Sequence, residues 1–107
     1  MTPLPETFAA LADDTRFAIV ERLLTEGART AGELSEVAPI SAPAISRHLK
    51  VLREAGVIDQ RVQGTKRIYS VNPEALRAIS AWTISHRAFW EGSLNRLEQA
   101  LQSKEEI

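Results

Sequence analysis

The chain contains no cysteine. That excludes a disulfide framework, a thiolate zinc site and a thiol redox sensor. It also lacks any apolar run long enough to span a bilayer. The opening MTPLPETFAALADD has neither the basic n-region nor the apolar core of a signal peptide, the pattern expected of a cytoplasmic protein. No glycine-rich phosphate loop, repeat or low-complexity tract interrupts it. Paired catalytic groups are also missing. Ser46 and His48 stand two apart on a predicted helix and point different ways, and Asp13-Asp14 read as a helix start, so the chain reads as no enzyme. A large charge imbalance is absent too, the net charge being −1 over 107 residues.

The distribution of charge is less even than its sum. Between Ile40 and Val71, Arg47, Lys50, Arg53, Arg61, Lys66 and Arg67 face only Glu54 and Asp59. That segment carries +4, and the remainder carries −5 to give the net −1. A basic middle inside acidic flanks points to a local anionic partner.

The length is that of one small domain, residues 1–107, with a single core. Pro5 to Ala12 predicts a short helix carrying Phe8 and Leu11. Asp13 caps a second helix through about Thr25, with Phe17, Val20, Leu23 and Leu24 as its apolar face and Gly27 as its stop. Thr30-Ala31-Gly32-Glu33 has the form of a capping box, and a third helix runs from it to about Val37. Pro39 breaks that helix, and Ser41 caps a fourth with Pro43 in its first turn and Gly56 at its end. β-branched residues on either side of Gln63-Gly64-Thr65 predict a two-stranded hairpin. Asn72-Pro73-Glu74 then starts a final helix reaching about Gln102, which would extend roughly 45 Å if unbroken.

The fold class is therefore mainly α with a small β-hairpin, in the order α-α-α-α-β-β-α. Two short helices joined by a tight turn, at about 30–55, form a helix-turn-helix. The hairpin at about 57–71 is its wing, and the helix at about 73–102 follows. In the fourth helix, Ile45, Leu49 and Leu52 fall within about 40° of one another on the wheel. Pro43, Arg47 and Lys50 fall opposite, flanked by Ala44 and Ser46. A face with small residues near its start and cations farther on suits a DNA major groove. Alanine touches a thymine methyl, serine pairs with several bases, and arginine pairs bidentately with guanine. Hydroxyls of Thr30 and Ser41 are candidate phosphate donors, and Arg61, Lys66 and Arg67 near the hairpin tip are candidate backbone contacts. The blander reading is a solvated surface helix beside an edge hairpin protected by charge. His48 lies near the buried side and reads as a packing residue.

Four stretches, FAALADDTRFAIVERLL, TAGELSE, SAPAISRHLKVLREAGVI and RVQGTKRIYSV, together resemble the ArsR/SmtB-type winged helix-turn-helix repressors from about Phe8 to Leu101. The resemblance implies a homodimer formed by the first and last helices, repression at a pseudo-palindromic operator on double-stranded DNA, and release by some signal. On it, Phe8, Leu11, Ile79, Trp82, Phe89, Trp90, Leu94, Leu97 and Leu101 are the candidate dimer interface. The sequence departs from the metal-sensing branches. Glu33-Leu34-Ser35-Glu36-Val37 stands where one branch carries cysteines. The last helix offers only His86, with Glu91 and Glu98, where another carries Asp and His ligands. A non-metal-sensing member with no metal site and no cofactor is expected. Two alternatives stay open: a winged-helix protein-interaction module, and a repressor answering a small molecule in an aromatic pocket lined by Trp82 and Trp90.

Overall fold

The structure, a computed structural model, describes residues 2–105. The chain divides into two compact units, Met1–Leu76 and Arg77–Ile107. The first contains the apolar core and everything that shapes the charged surface.

Helix α1 (Leu4–Leu11) begins behind Pro3 and buries Thr7 and Ala10. Helix α2 (Asp14–Glu26) starts where the Asp13 carboxylate accepts the Arg16 backbone N–H at 3.0 Å. It stops at Gly27, whose φ of 84° is open to glycine and costly to a side chain. Its buried face is Ile19, Val20 and Leu23. Phe17 and Leu24, expected on that face, are half exposed at 50% and 51%. They lie about 100–120° round the helix from Leu23, and the stripe closes instead through Arg16, at i, i+3, i+4, i+7 with Ile19, Val20 and Leu23.

Strand β1 (Arg29–Thr30) leads into the single turn α3 (Ala31–Leu34), which tightens into a 3₁₀ turn at Ser35–Val37. The Thr30–Glu33 capping box forms with both halves present. Helix α4 (Ala42–Glu54) follows, capped by Ser41 with Pro43 in its first turn, and buries Ile45, Leu49 and Leu52 as the spacing requires. Strands β2 (Ile58–Gln63) and β3 (Lys66–Val71) are joined by Gly64-Thr65. Their register pairs Gln60 with Tyr69 and Val62 with Arg67.

The hairpin is part of a larger sheet than expected. β1 pairs antiparallel with β3, so the order is β1-β3-β2 and the wing's second strand is held on both sides. A two-residue strand leaves no alternation to read in a sequence, which is why it was not anticipated. The core gathers Ile19, Val20, Leu23, Leu34, Ile45, Leu49, Leu52, Val57 and Ile58 from α2, α3, α4 and the start of β2, with Ala10 and Tyr69 at its margins.

The expected unbroken last helix is two helices, α5 (Pro73–Ser85) and α6 (Arg87–Glu105). The cause is local. The Ser85 hydroxyl donates to the Trp82 carbonyl at 2.9 Å, and His86 Nδ1 lies 2.8 Å from the same oxygen. The His86 backbone N–H turns to Thr83 instead, 3.2 Å away. Side chains have taken the acceptor a continuing helix would use.

Candidate nucleic-acid interface

Helix α4 turns its outer face to solvent. Ser41, Pro43, Ser46, Arg47 and Lys50 are exposed and Ala44 is half-buried. The small side chains sit in the first turns and the cations follow.

The wing completes the surface. Side chains alternate across a strand, so Arg67 shares a face with Gln60, Val62 and Tyr69, while Arg61 and Lys66 project from the other. The three wing cations, expected to cluster at one tip, thus leave the strands on two faces, although Lys66 and Arg67 border one groove. Val62, 72% exposed, carries no core role and sits opposite Arg67.

Two shallow grooves run between α4 and the wing. One, of about 300 Å3, is lined by Thr30, Ser46, Lys66, Arg67 and Tyr69 with Ala31 and Gly32. The other, of about 190 Å3, is lined by Ser46, Leu49, Lys50, Arg53, Arg67 and Tyr69. Ser46 and Arg67 border both. The fold therefore brings Thr30, Ser46, Lys50, Lys66 and Arg67 together, while Ser41, Pro43, Ala44, Arg47 and Arg61 line neither groove.

Three residues outside the predicted site, Arg53, Gln60 and Tyr69, are linked beside it. Arg53 Nη1 donates to Gln60 Oε1, and Gln60 Nε2 lies 3.5 Å from the Tyr69 hydroxyl. This chain of contacts ties the end of α4 to both wing strands. The signal was available: a two-residue turn at Gly64-Thr65 puts residue 60 opposite residue 69. One expected donor is already engaged. The Thr30 hydroxyl donates to Glu33 Oε1 at 3.1 Å and accepts the Glu33 N–H at 3.3 Å, so it lines its groove with its proton committed. These bonds, led by the Thr30 backbone N–H, hold the Glu33 carboxyl below its usual range. Ser41 accepts the Ala44 N–H at 3.3 Å, and its own proton remains available.

Three arginines away from α4 and the wing are paired with carboxylates. Arg22 is forked between Glu26 at 2.6 Å and Glu36 at 3.0 Å, Arg87 pairs with Glu91 at 2.8 Å, and Arg29 lies near Glu26 and Glu33. The two glutamates raise the Arg22 pKa further. Arg47, Arg61, Lys66 and Arg67 make no hydrogen bond or ion pair with any described residue, and Lys50 has only a loose 3.9 Å pair with Glu54. Four cations without such partners thus lie on α4 and the wing.

The candidate dimer residues are distributed differently. Leu11 packs partly against the core and Ile79 is half-buried. Phe8, Trp82, Phe89, Trp90, Leu94, Leu97 and Leu101 are exposed, the last three by more than half. A notch of about 300 Å3 at the α5–α6 break is lined by Thr83, Ile84, Arg87, Trp90, Glu91 and Leu94. Trp90 borders this notch and Trp82 does not. Among the described residues no three His, Cys, Asp or Glu side chains stand close enough to hold a metal ion, and none of the helices is long and apolar enough to cross a membrane.

The helix-turn-helix domain family matches residues 11–61. The HTH-type transcriptional regulator Rv2034 of Mycobacterium tuberculosis is 42% identical over 95 residues, covering 89% of this chain and 85% of the relative. The transcriptional repressor SdpR of Bacillus subtilis is 38% identical over 78 residues, 73% of this chain and 86% of that one. A crystal structure of an ArsR family transcriptional regulator superposes with a TM-score of 0.73 at 33% identity, over 82% of this chain and 96% of the other. An ArsR-like regulator from Rhodococcus sp. RHA1 gives 0.70 at 28% identity over 90% of each chain. With the helix-turn-helix, the wing and the unpaired cations in place, these likenesses show that the chain belongs to the ArsR family of winged helix-turn-helix, DNA-binding transcriptional regulators and is not an enzyme.

Proposed function

We propose that the protein is a cytoplasmic, homodimeric repressor that reads a pseudo-palindromic operator, of its own or a neighbouring operon, without a metal site. The observation that carries this reading is the sorting of the cations. Arg22, Arg29 and Arg87 are matched with carboxylates, whereas Arg47, Arg61, Lys66 and Arg67 are left without partners among the described residues on α4 and the wing. A module that only bound proteins has no need of that arrangement.

In this reading the first turns of α4 enter the major groove. Pro43, Ala44 and Ser46 permit close approach, and Arg47 reads a guanine. Ser41 and Lys50 hold the flanking phosphates. Arg67 and Lys66 follow the backbone from the wing, and Arg61 reaches it from the hairpin's other face. Thr30, its hydroxyl held by Glu33, shapes the groove wall. Trp90, Leu94, Leu97 and Leu101 recur at near-heptad spacing on α6 and are 47–64% exposed, a seam suited to a second copy of the chain. Phe8, Leu11, Ile79, Trp82 and Phe89 complete it. The absence of cysteine favours a signal other than a thiophilic metal.

Fluorescence anisotropy on DNA from the gene's own upstream region, against a scrambled duplex at two salt concentrations, tests the reading. Tight, salt-sensitive preference for the upstream DNA is expected. Absence of binding to either duplex by a folded dimer would give first place to a protein partner. A second reading, an apolar effector, is favoured by the notch beside Trp90. Ligands seated there would change Trp90 emission, and a silent screen would remove it.

A further inference from the structure

Arg16 occupies a position the helix pattern reserves for an apolar residue. It lies on the buried stripe of α2, and its side chain is only 18% exposed. Burying a guanidinium is costly unless its donors are satisfied. They are satisfied from three directions. Nε donates to the Ala10 carbonyl at 2.6 Å and Nη2 to the Ala9 carbonyl at 3.4 Å, both at the end of α1, where the Ala9 oxygen also accepts the Ala12 N–H. Nη1 lies 3.4 Å from His48 Nδ1 on α4 and 4.0 Å from Asp13. A guanidinium has donors only, so Nη1 hydrogen-bonds His48 where Nδ1 presents its lone pair, and the same Nδ1 stands 3.8 Å from Asp13 Oδ2.

One side chain thus bridges α1, its own α2 and the reading helix α4. We infer that Arg16, acting through His48, is a positioning residue that fixes the angle between α1 and α4 and so sets the half-site spacing the protein accepts. The inference rests on the homodimer reading above, in which α1 forms part of the seam.

The geometry gives the joint leverage. Two-fold related reading helices on one face of DNA stand about 34 Å apart, and each additional base pair moves a half-site by about 3.4 Å. A tilt of about 5° at a radius of about 17 Å displaces each helix by about 1.5 Å, close to half a base-pair step. A joint loosened by a few degrees can still dock one helix in one groove. It no longer distinguishes a spacing from its neighbour.

The test uses the full chain and duplexes built from a site selected out of a random-sequence library. One duplex holds a single half-site, and the others hold two half-sites with spacing shortened or lengthened by one base pair. Wild type should sediment as a dimer and favour one spacing by about tenfold or more. Arg16→Met and His48→Leu should remain dimeric and bind the single half-site within about threefold of wild type, while spacing preference falls below about threefold. His48→Gln, whose side-chain carbonyl accepts from Arg16, should restore the preference. If Arg16→Met does not fold, His48→Leu decides alone, because it leaves the bonds from Arg16 to α1 in place. Wild-type spacing preference in the variants overturns the inference, as does an equal loss on half-site and full-site duplexes. A monomeric wild type, or one indifferent to spacing, overturns the dimer reading first and is recognised before any variant is compared.

Discussion

Arg67→Ala removes the cation that borders both grooves between α4 and the wing. Arg67 is exposed and takes no part in the fold's ion pairs, so its loss should leave stability within about 0.5 kcal/mol of wild type. Its effect on DNA binding follows from counterion release. With Lys50 set aside because Glu54 partly offsets its charge, Arg61, Lys66 and Arg67 from each of two protomers would neutralise six phosphates, giving a slope of log K against log salt of about −5.4. Removing Arg67 from both protomers leaves four contacts and a slope of about −3.6. Between 50 and 200 mM salt, wild type should then lose about two-thousandfold in affinity and the variant about 150-fold. Lys50→Ala makes the control. Its ammonium already has Glu54 at 3.9 Å, with both side chains about two-thirds exposed, so it should change the slope less. Anisotropy titrations at five salt concentrations measure all three slopes. An Arg67→Ala slope equal to wild type would refute the argument that unpaired cations on the wing are phosphate contacts.

The remaining predictions concern specificity, assembly, core and pH. Arg47→Ala should weaken operator binding and relax preference at one or two base pairs, with binding to random DNA nearly unchanged, and a competition assay against single-base operator variants reads this directly. Trp90→Glu should give a monomer in sedimentation, because it sets a charge in the proposed seam. A folded dimer there would remove Trp90 from the interface. Leu52→Ala, at a fully buried position, should cost about 2–5 kcal/mol in denaturant unfolding. Asp13 is held below its usual range chiefly by the Arg16 backbone N–H, with the Arg16 and His48 charges adding, and Thr30 does the same for Glu33. A carboxyl depressed in the folded state contributes fully above its unfolded value, and that contribution disappears as pH falls through the folded one. The unfolding temperature should therefore be level down to about pH 5 and fall below about pH 4, with a shallower fall in the Asp13→Asn, Glu33→Gln double variant. Identical acid limbs would count against both assignments.

Much of the fold was legible because local signals agreed with one another. Asp13, Thr30 and Ser41 cap the helices expected of them, Gly27 and Gly64 sit at positive φ where a stop and a tight turn require it, and Ile45, Leu49 and Leu52 are buried together. What escaped were features decided by competition. The break at His86 depends on side chains outbidding a backbone N–H for one carbonyl, which periodicity does not register. The stripe of α2 was misphased because Phe17 looked apolar and Arg16 did not, although only satisfied donors make the buried arginine tolerable. In the candidate site, the outward face of α4 followed from the wheel. The Arg53–Gln60–Tyr69 link and the engaged Thr30 hydroxyl required knowing which strand residues face each other and where Glu33 folds back.

The separation of matched from unmatched arginines has a kinetic consequence. A chain with net charge −1 and a local excess of cations is an electric dipole more than a polycation. In the field of a duplex such a molecule feels little net pull from afar but a torque at close range, which turns the cationic surface of α4 and the wing inward. Collisions in wrong poses are repelled and release quickly, while those in the right pose are held long enough to slide. Orientation is thus selected before any base is touched, and the advantage fades with added salt as the field contracts to a Debye length of about 10 Å at 0.1 M.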